Sequence, residues 1–127
     1  MKKKIVGATE SAADHLERSI KALENDDEKK LEGLIWQAAA ELEYTLFLFS
    51  VGYKNEIEKS SWKHHSSSKK LEVEPALIEA RDLVKEAKTG VDADELSEAY
   101  KKTWKARGRL LTVQKILEKK RKSEGKK

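Results

Sequence analysis

The chain has no cysteine, a single proline (Pro75) and no methionine beyond Met1. The missing thiols exclude disulfides and thiolate zinc sites, and they fit a reducing compartment. One proline and six scattered glycines leave little of the turn chemistry that a many-stranded fold needs. The glycines form no phosphate-cradling loop, and no serine sits in a Gly-x-Ser-x-Gly turn. The basic start MKKKIVGATE is followed by no apolar run of signal-peptide length. The most apolar stretch, residues 27–51, carries Glu32, Glu41 and Glu43, which a lipid-facing span would seldom hold. The expectation is a cytoplasmic chain without a membrane partner. Asn and Gln occur only twice each, beside abundant Lys and Glu. That composition fits two readings, a hyperthermophile protein or an ordinary Lys/Glu-rich helical one.

What the chain does have is charge, 39% of its 127 residues, carried among Leu and Ala at helical spacing. The length suits one domain that buries about two-thirds of its unfolded surface. The composition and period predict an all-α protein.

Residues 27–51 (DEKKLEGLIWQAAAELEYTLFLFSV) organise the rest. At about 100° per residue, Leu31, Leu34, Ile35, Ala38, Leu42, Leu46 and Phe49 share one face. Trp36, Ala40, Tyr44, Phe47 and Val51 share a roughly opposite one. A helix apolar on two sides is either the buried centre of a bundle or offers one side to an oligomer contact. On the second face Gly33 and Ala40 are small enough for close approach, and Trp36 fills the space beside them.

The first helix is expected to be capped by Thr9 or Ser11 and to bury Ala12, Ala13, Leu16, Ile20 and Leu23. Asn25-Asp26-Asp27 then makes a turn and caps the second helix, which ends or bends at Gly52. A connection this short makes the two helices antiparallel neighbours. Ile57 and Trp62 are isolated in a weak pattern, and 60–70 reads as a long loop. Pro75 suits the first turn of a third helix, whose narrow stripe is Leu77, Ala80, Val84 and Ala87 and whose stop is Thr89-Gly90. Asp92 or Asp94 caps a fourth helix that runs to about Lys120. Its inward face is Leu96, Tyr100, Thr103, Leu110, Leu111, Gln114 and Leu117, with Arg107 projecting between them. The expected architecture is an antiparallel four-helix bundle with one long central connection. Residues 1–8 form an N-terminal arm, 9–121 the bundle and 122–127 a disordered basic tail.

Charge is segregated along the chain. Residues 101–127 hold twelve Lys or Arg against two Glu, a net of +10; the whole chain is +4, so residues 1–100 sum to −6. Lys101, Lys102, Lys105, Arg109, Lys119 and Lys120 lie on the polar face of the fourth helix and are candidate phosphate contacts. The competing reading is a solvated face that keeps the protein soluble. The inward Arg107 needs a partner, and Glu41 at the edge of the main apolar face is the expected one, as a core ion pair or an anion site. His64-His65 is either a solvated loop dipeptide or a weak metal or general-base site. No Glu-x-x-His pair occurs, so no bound metal or other cofactor is expected.

The segment SAADHLERSIKALENDDEKKLEGLIWQAAAELEYTLFLFSV, residues 11–51, resembles the HEPN superfamily of small prokaryotic helical bundles. The likeness lies in a first amphipathic helix, a short acidic turn and an Ile-Trp-x-Ala-Ala helix, followed by a His-containing loop. It implies a homodimeric bundle and, in many members, RNA cleavage or nucleotide binding in toxin–antitoxin or defence systems. The nuclease members place Arg four to six residues before His. Arg18, Arg81, Arg107, Arg109 and Arg121 have no His at that distance. Lys59 precedes His64 by five, but Lys lacks the forked guanidinium. No catalytic residue carries over. The leading expectation is a non-catalytic, homodimeric interaction protein, a HEPN-like regulator or partner subunit, with Trp36, Ala40, Tyr44, Phe47 and Val51 as its interface. The alternatives are a sequence-independent nucleic-acid binder, or a HEPN-like ribonuclease or nucleotide-binding protein using His64-His65 with Lys59 or Lys63.

Overall fold

Two three-residue turns of the same design fold the chain into a pair of helical hairpins. In the first, Asp26 adopts the left-handed conformation (φ 57°), and its amide and that of Asp27 donate to the carbonyls of Leu23 and Ala22. In the second, Asp94 (φ 60°) does the same, with the amides of Asp94 and Glu95 bonding the carbonyls of Val91 and Gly90. Both are Schellman stops built on Asp in place of the usual Gly. Each leads straight into the next helix. The Asp27 carboxylate accepts from the Lys30 amide at 3.2 Å, and the Glu95 carbonyl accepts from the Ala99 amide at 3.0 Å.

The computed structural model describes residues 2–55 and 72–125. Among them are four helices and no strand: α1 (Lys2–Glu24), α2 (Glu28–Gly52), α3 (Val73–Asp92) and α4 (Leu96–Gly125). Ion pairs fix their directions. Glu10–Lys88 (2.9 Å) and Glu17–Lys85 (2.7 Å) join α1 to α3 with opposed numbering, and Lys2–Asp94 (3.0 Å) joins the start of α1 to the turn that follows α3. Glu28–Lys120 (2.9 Å), Glu32–Arg121 (3.2 Å) and Glu43–Arg107 do the same for α2 and α4. Arg109–Glu79 (3.0 Å) joins α4 to α3. Going round the bundle the order is α1, α2, α4, α3, every neighbouring pair antiparallel, with no contact across either diagonal among the described residues. The parallel helices α2 and α3 are therefore diagonal, and the chain between them joins opposite ends of the bundle. This is the antiparallel four-helix bundle with a long central connection. Ile57, Lys59, Trp62, Lys63, His64 and His65, with the expected loop at 60–70, lie outside the described residues.

The core is made of small and aliphatic side chains. Leu16, Leu31, Ile35, Leu42, Leu77, Val84, Leu110 and Val113 fill its main body, with Ala12, Ala38, Ala80 and Ala106 letting the helices close in. At the end nearest the second turn, Ile5, Phe49, Val91 and Ala99 form a second cluster. There the Phe49 ring meets Tyr100 edge-on at 5.7 Å. Buried hydroxyls are satisfied within their own helices: Thr9 donates to the Val6 carbonyl, Ser19 to Leu16, Thr45 to Glu41 and Thr103 to Ala99.

Several boundaries differ from the sequence expectation. Helix α1 starts at Lys2, two turns before Thr9, so Ile5, Ala8 and Thr9 are core residues. Gly90 does not stop α3: it lies inside the helix, buried where α4 passes, and the stop is made at Asp94. Neither Asp92 nor Asp94 caps α4; Asp92 ends α3 and Asp94 is the left-handed turn residue. Helix α4 continues past Lys120 to Gly125. Leu111 faces out, and the buried positions around it are Ala99, Ala106, Leu110 and Val113.

Candidate interaction surface

Helix α2 contacts α1 on one flank and α4 on the other. Its core face is buried as the periodicity requires, from Leu31 to Phe49. Its opposite face is not covered by anything among the described residues. Trp36 is 68% exposed, Phe47 60%, Val51 59% and Tyr44 48%, and Ala40 between them is exposed as well. The five residues occupy one outward stripe that spans about 22 Å, at 1.5 Å per residue. The register set by Arg107–Glu43 brings Leu111 of α4, 38% exposed, alongside Ala40. Trp104 lies two turns further on, roughly level with Phe47. The exposed apolar surface therefore continues from α2 onto the near edge of α4.

Two glycines shape this surface. A Cβ added at Gly33 or at Gly108 would meet no atom within 4 Å, so both positions are open to solvent. Beside Trp36, between α2 and α4, is an open groove of about 310 Å³. Glu32, Ile35, Trp36, Gln114, Leu117 and Arg121 line it. Gln114 carries a shielded amide nitrogen with no hydrogen-bond partner among the described residues.

Arg107 is not an inward residue. It lies at the α2–α4 seam, pairs with Glu43 and covers the Trp104 ring at 5.3 Å. The stacking is a cation–π contact, and the Trp104 indole donates in turn to the Tyr100 hydroxyl at 3.2 Å. Glu41, the expected partner, points to the other flank of α2 and meets the His15 imidazole of α1. The reason is geometric: residues 41 and 43 are separated by about 200° around the helix, and α4 sits on the Glu43 side.

The basic residues of α4 are not a free positive face. Lys101 pairs with Glu98 at 3.3 Å and Arg109 with Glu79; Lys120 pairs with Glu28, and Lys102 reaches Glu86 at 3.9 Å. Lys105 and Lys119, with Lys115, have no carboxylate partner among the described residues. On the far side of the bundle, α1 and α3 make an exposed ladder of their own. The Glu17 carboxyl is held below its ordinary range by the Lys85 hydrogen bond and then by that ammonium's charge. Glu10 holds Lys88 above its ordinary range in the same way. Among the described residues no three His, Asp or Glu side chains are placed to hold a metal, and no helix is long and apolar enough to cross a membrane.

No family model, no curated protein and no solved structure matches this chain. Its function has to be read from its surfaces. The expected interface residues Trp36, Ala40, Tyr44, Phe47 and Val51 come together on one stripe, whereas the expected phosphate contacts are split between paired and unpartnered cations. Leu111 and Trp104 were not foreseen as part of the apolar surface. Their signal in the sequence is their distance from Arg107: four residues after and three before it, they share its side of α4.

Proposed function

We propose that this is a non-catalytic helical interaction protein that works as a homodimer, a regulator or partner subunit of the HEPN-like kind, with the outer stripe of α2 as the contact. The observation behind this reading is the exposure of three aromatic side chains in line on a helix whose other face is fully buried. Taking ~200 Å² as the surface of a buried aromatic side chain, Trp36, Tyr44 and Phe47 leave about 350 Å² in water. Pairing two copies would remove about 700 Å², or roughly 17 kcal/mol at ~25 cal/mol per Å². Association costs about 4–15 kcal/mol, which leaves a surplus of about 2–13 kcal/mol, a range that includes the ~8 kcal/mol of a micromolar dimer. Light scattering on the full chain should give twice the 14.5 kDa chain mass. The double substitution Trp36→Glu/Phe47→Glu should return it to one chain mass with its helical circular dichroism intact. A wild type that scatters as a monomer at micromolar concentration ends the proposal.

A second reading, contact with nucleic-acid phosphates, is favoured by Lys105, Lys115 and Lys119, which have no carboxylate partner among the described residues. Anisotropy titration with a labelled duplex at low salt tests it. Binding weaker than the usual non-specific range of about 10⁻⁴ M would leave solubility as the role of these lysines.

A further inference from the structure

The exposed stripe on α2 has an internal symmetry. Gly33, Trp36, Ala40, Tyr44 and Phe47 stand at −7, −4, 0, +4 and +7 relative to Ala40. A helix carrying such a stripe can be turned end for end about an axis through Ala40 and laid on itself in register. We propose that two copies associate in this way. Their α2 helices cross antiparallel on a two-fold axis at Ala40, and the Phe47 ring of each copy seats over Gly33 of the other. The proposal rests on the dimer reading above and specifies its geometry.

The sizes of the residues fit this register. Ala40 meets Ala40 at the crossing point, where small side chains let two helices approach to the ~8 Å end of the usual range. One turn out on each side, Trp36 lies beside the partner's Tyr44, an aromatic pair repeated twice by the symmetry. Two turns out, Phe47 meets Gly33, where an added Cβ would touch nothing within 4 Å. The bulkiest projection at that level thus faces the one position on the stripe with no side chain. A two-fold contact of this kind is isologous, residue i meeting j while j meets i. The alternative, parallel packing, stacks Phe47 on Phe47 and Gly33 on Gly33, which wedges one end open and leaves a gap at the other. Opposed helix dipoles also favour the antiparallel register. The stripe alone accounts for about 700 Å² over both copies. Val51 at its end and Leu111 of α4 at its edge bring the total near the ~1,000 Å² of a specific interface.

The absence of cysteine from the chain makes the test direct. Three exposed-site variants are oxidised at micromolar concentration and read on non-reducing gels: Ala40→Cys, Gly33→Cys and the double variant Gly33→Cys/Phe47→Cys. A disulfide needs Cα atoms within about 7 Å. In the proposed register Ala40→Cys crosslinks to itself. Gly33→Cys does not, because its two copies lie about 21 Å apart along the axes. The double variant crosslinks fully, through 33 to 47 of the partner. Circular dichroism confirms that each variant is folded, and light scattering of the untreated wild type reports the dimer independently. A wild-type monomer overturns the dimer reading itself. A wild-type dimer in which Gly33→Cys self-crosslinks efficiently, or Ala40→Cys fails to, leaves the dimer standing and overturns the register.

Discussion

Gly90 is a helical glycine whose replacement by alanine should destabilise the protein, against the usual rule. In an open helix position Gly→Ala gains about 1 kcal/mol, because alanine loses less backbone entropy on folding. Gly7 is such a position: it lies in α1, exposed, and an added Cβ meets nothing within 4 Å. At Gly90 the added Cβ would stand 3.2 Å from the Ala99 Cβ, 3.4 Å from the Glu95 carbonyl oxygen and 3.5 Å from the Ala99 Cα. Carbon pairs are most comfortable at about 3.5–4.0 Å. Neither methyl can rotate away, so the first turn of α4 has to shift by a few tenths of an ångström. That turn is tethered, since the Glu95 amide bonds the Gly90 carbonyl at 2.7 Å. Overpacking of this kind costs about 1–3 kcal/mol. The net for Gly90→Ala is therefore a loss of about 0–2 kcal/mol, while Gly7→Ala gains about 1 kcal/mol. At ~4 °C per kcal/mol for a domain of this size, thermal melts followed at 222 nm should separate the two variants by about 4–12 °C. The pair Gly90→Ala/Ala99→Gly removes the crowding and should show a favourable coupling of about 1 kcal/mol or more in a double-mutant cycle. If Gly90→Ala raises the melting temperature as far as Gly7→Ala does, the close approach of α3 and α4 is not as described.

Other perturbations have definite signs. Leu42→Ala, at a fully buried position in the main core, should cost about 2–5 kcal/mol and lower the denaturant midpoint without changing the slope; a cost under ~1 kcal/mol would contradict that packing. Asp26→Gly should stabilise by up to ~1 kcal/mol, because Asp26 holds a left-handed φ of 57° that glycine adopts freely; a lower melting temperature would mean that the Asp side chain makes the turn. The lowered Glu17 carboxyl adds stability that is present above its unfolded pKa, about 4.3, and is lost as pH falls through its lower folded value. The raised Lys88 adds stability present below about 10.4 and lost as pH rises through its higher folded value. Glu17→Gln should accordingly flatten the acid limb of a stability–pH curve, by a small, salt-sensitive amount because the pair is exposed.

The parts of the fold that were legible in the sequence are those set by periodicity within one helix. The two faces of α2, the stripe Leu77, Ala80, Val84 and Ala87, and the acidic turn at Asp27 all stand where spacing put them. The errors share a different cause. Thr9 has the chemistry of a cap, yet its hydroxyl bonds the Val6 carbonyl inside α1; the true start carries Lys2, Lys3 and Lys4, which oppose the helix dipole and so give no start signal. Gly90 reads as a stop because glycine weakens helices, whereas here it makes room for Ala99. The sequence periods also leave open which helices are neighbours. With α4 flanking α2 on the Glu43 side and α1 on the Glu41 side, Arg107 pairs with Glu43, and Glu41, its expected partner, meets His15 instead.

That same arrangement decides how the basic end of the chain can behave. In chain order, a +10 segment follows a −6 segment. In space, α4 lies between α2 and α3, and the acids of those two helices meet it along both flanks: Glu28, Glu32 and Glu43 on one side, Glu79 and Glu86 on the other. The segregation is thus largely a record of which helix pairs with which. Surface pairs contribute little to stability, but they do compete with a phosphate for the same cation. Lys105, Lys115 and Lys119 face no such competitor among the described residues. If α4 binds duplex nucleic acid, three phosphate contacts from these lysines predict a log–log salt slope of about −2.7, at −0.9 per contact. The six cations first singled out from the sequence would give about −5. Lys105→Gln/Lys115→Gln/Lys119→Gln should remove most of the slope, while Lys102→Gln/Lys120→Gln should change it little. Anisotropy titrations over a range of salt measure both. A slope near −5, or equal losses from the two sets of variants, would mean that the flanking carboxylates do not hold these side chains against a polyanion.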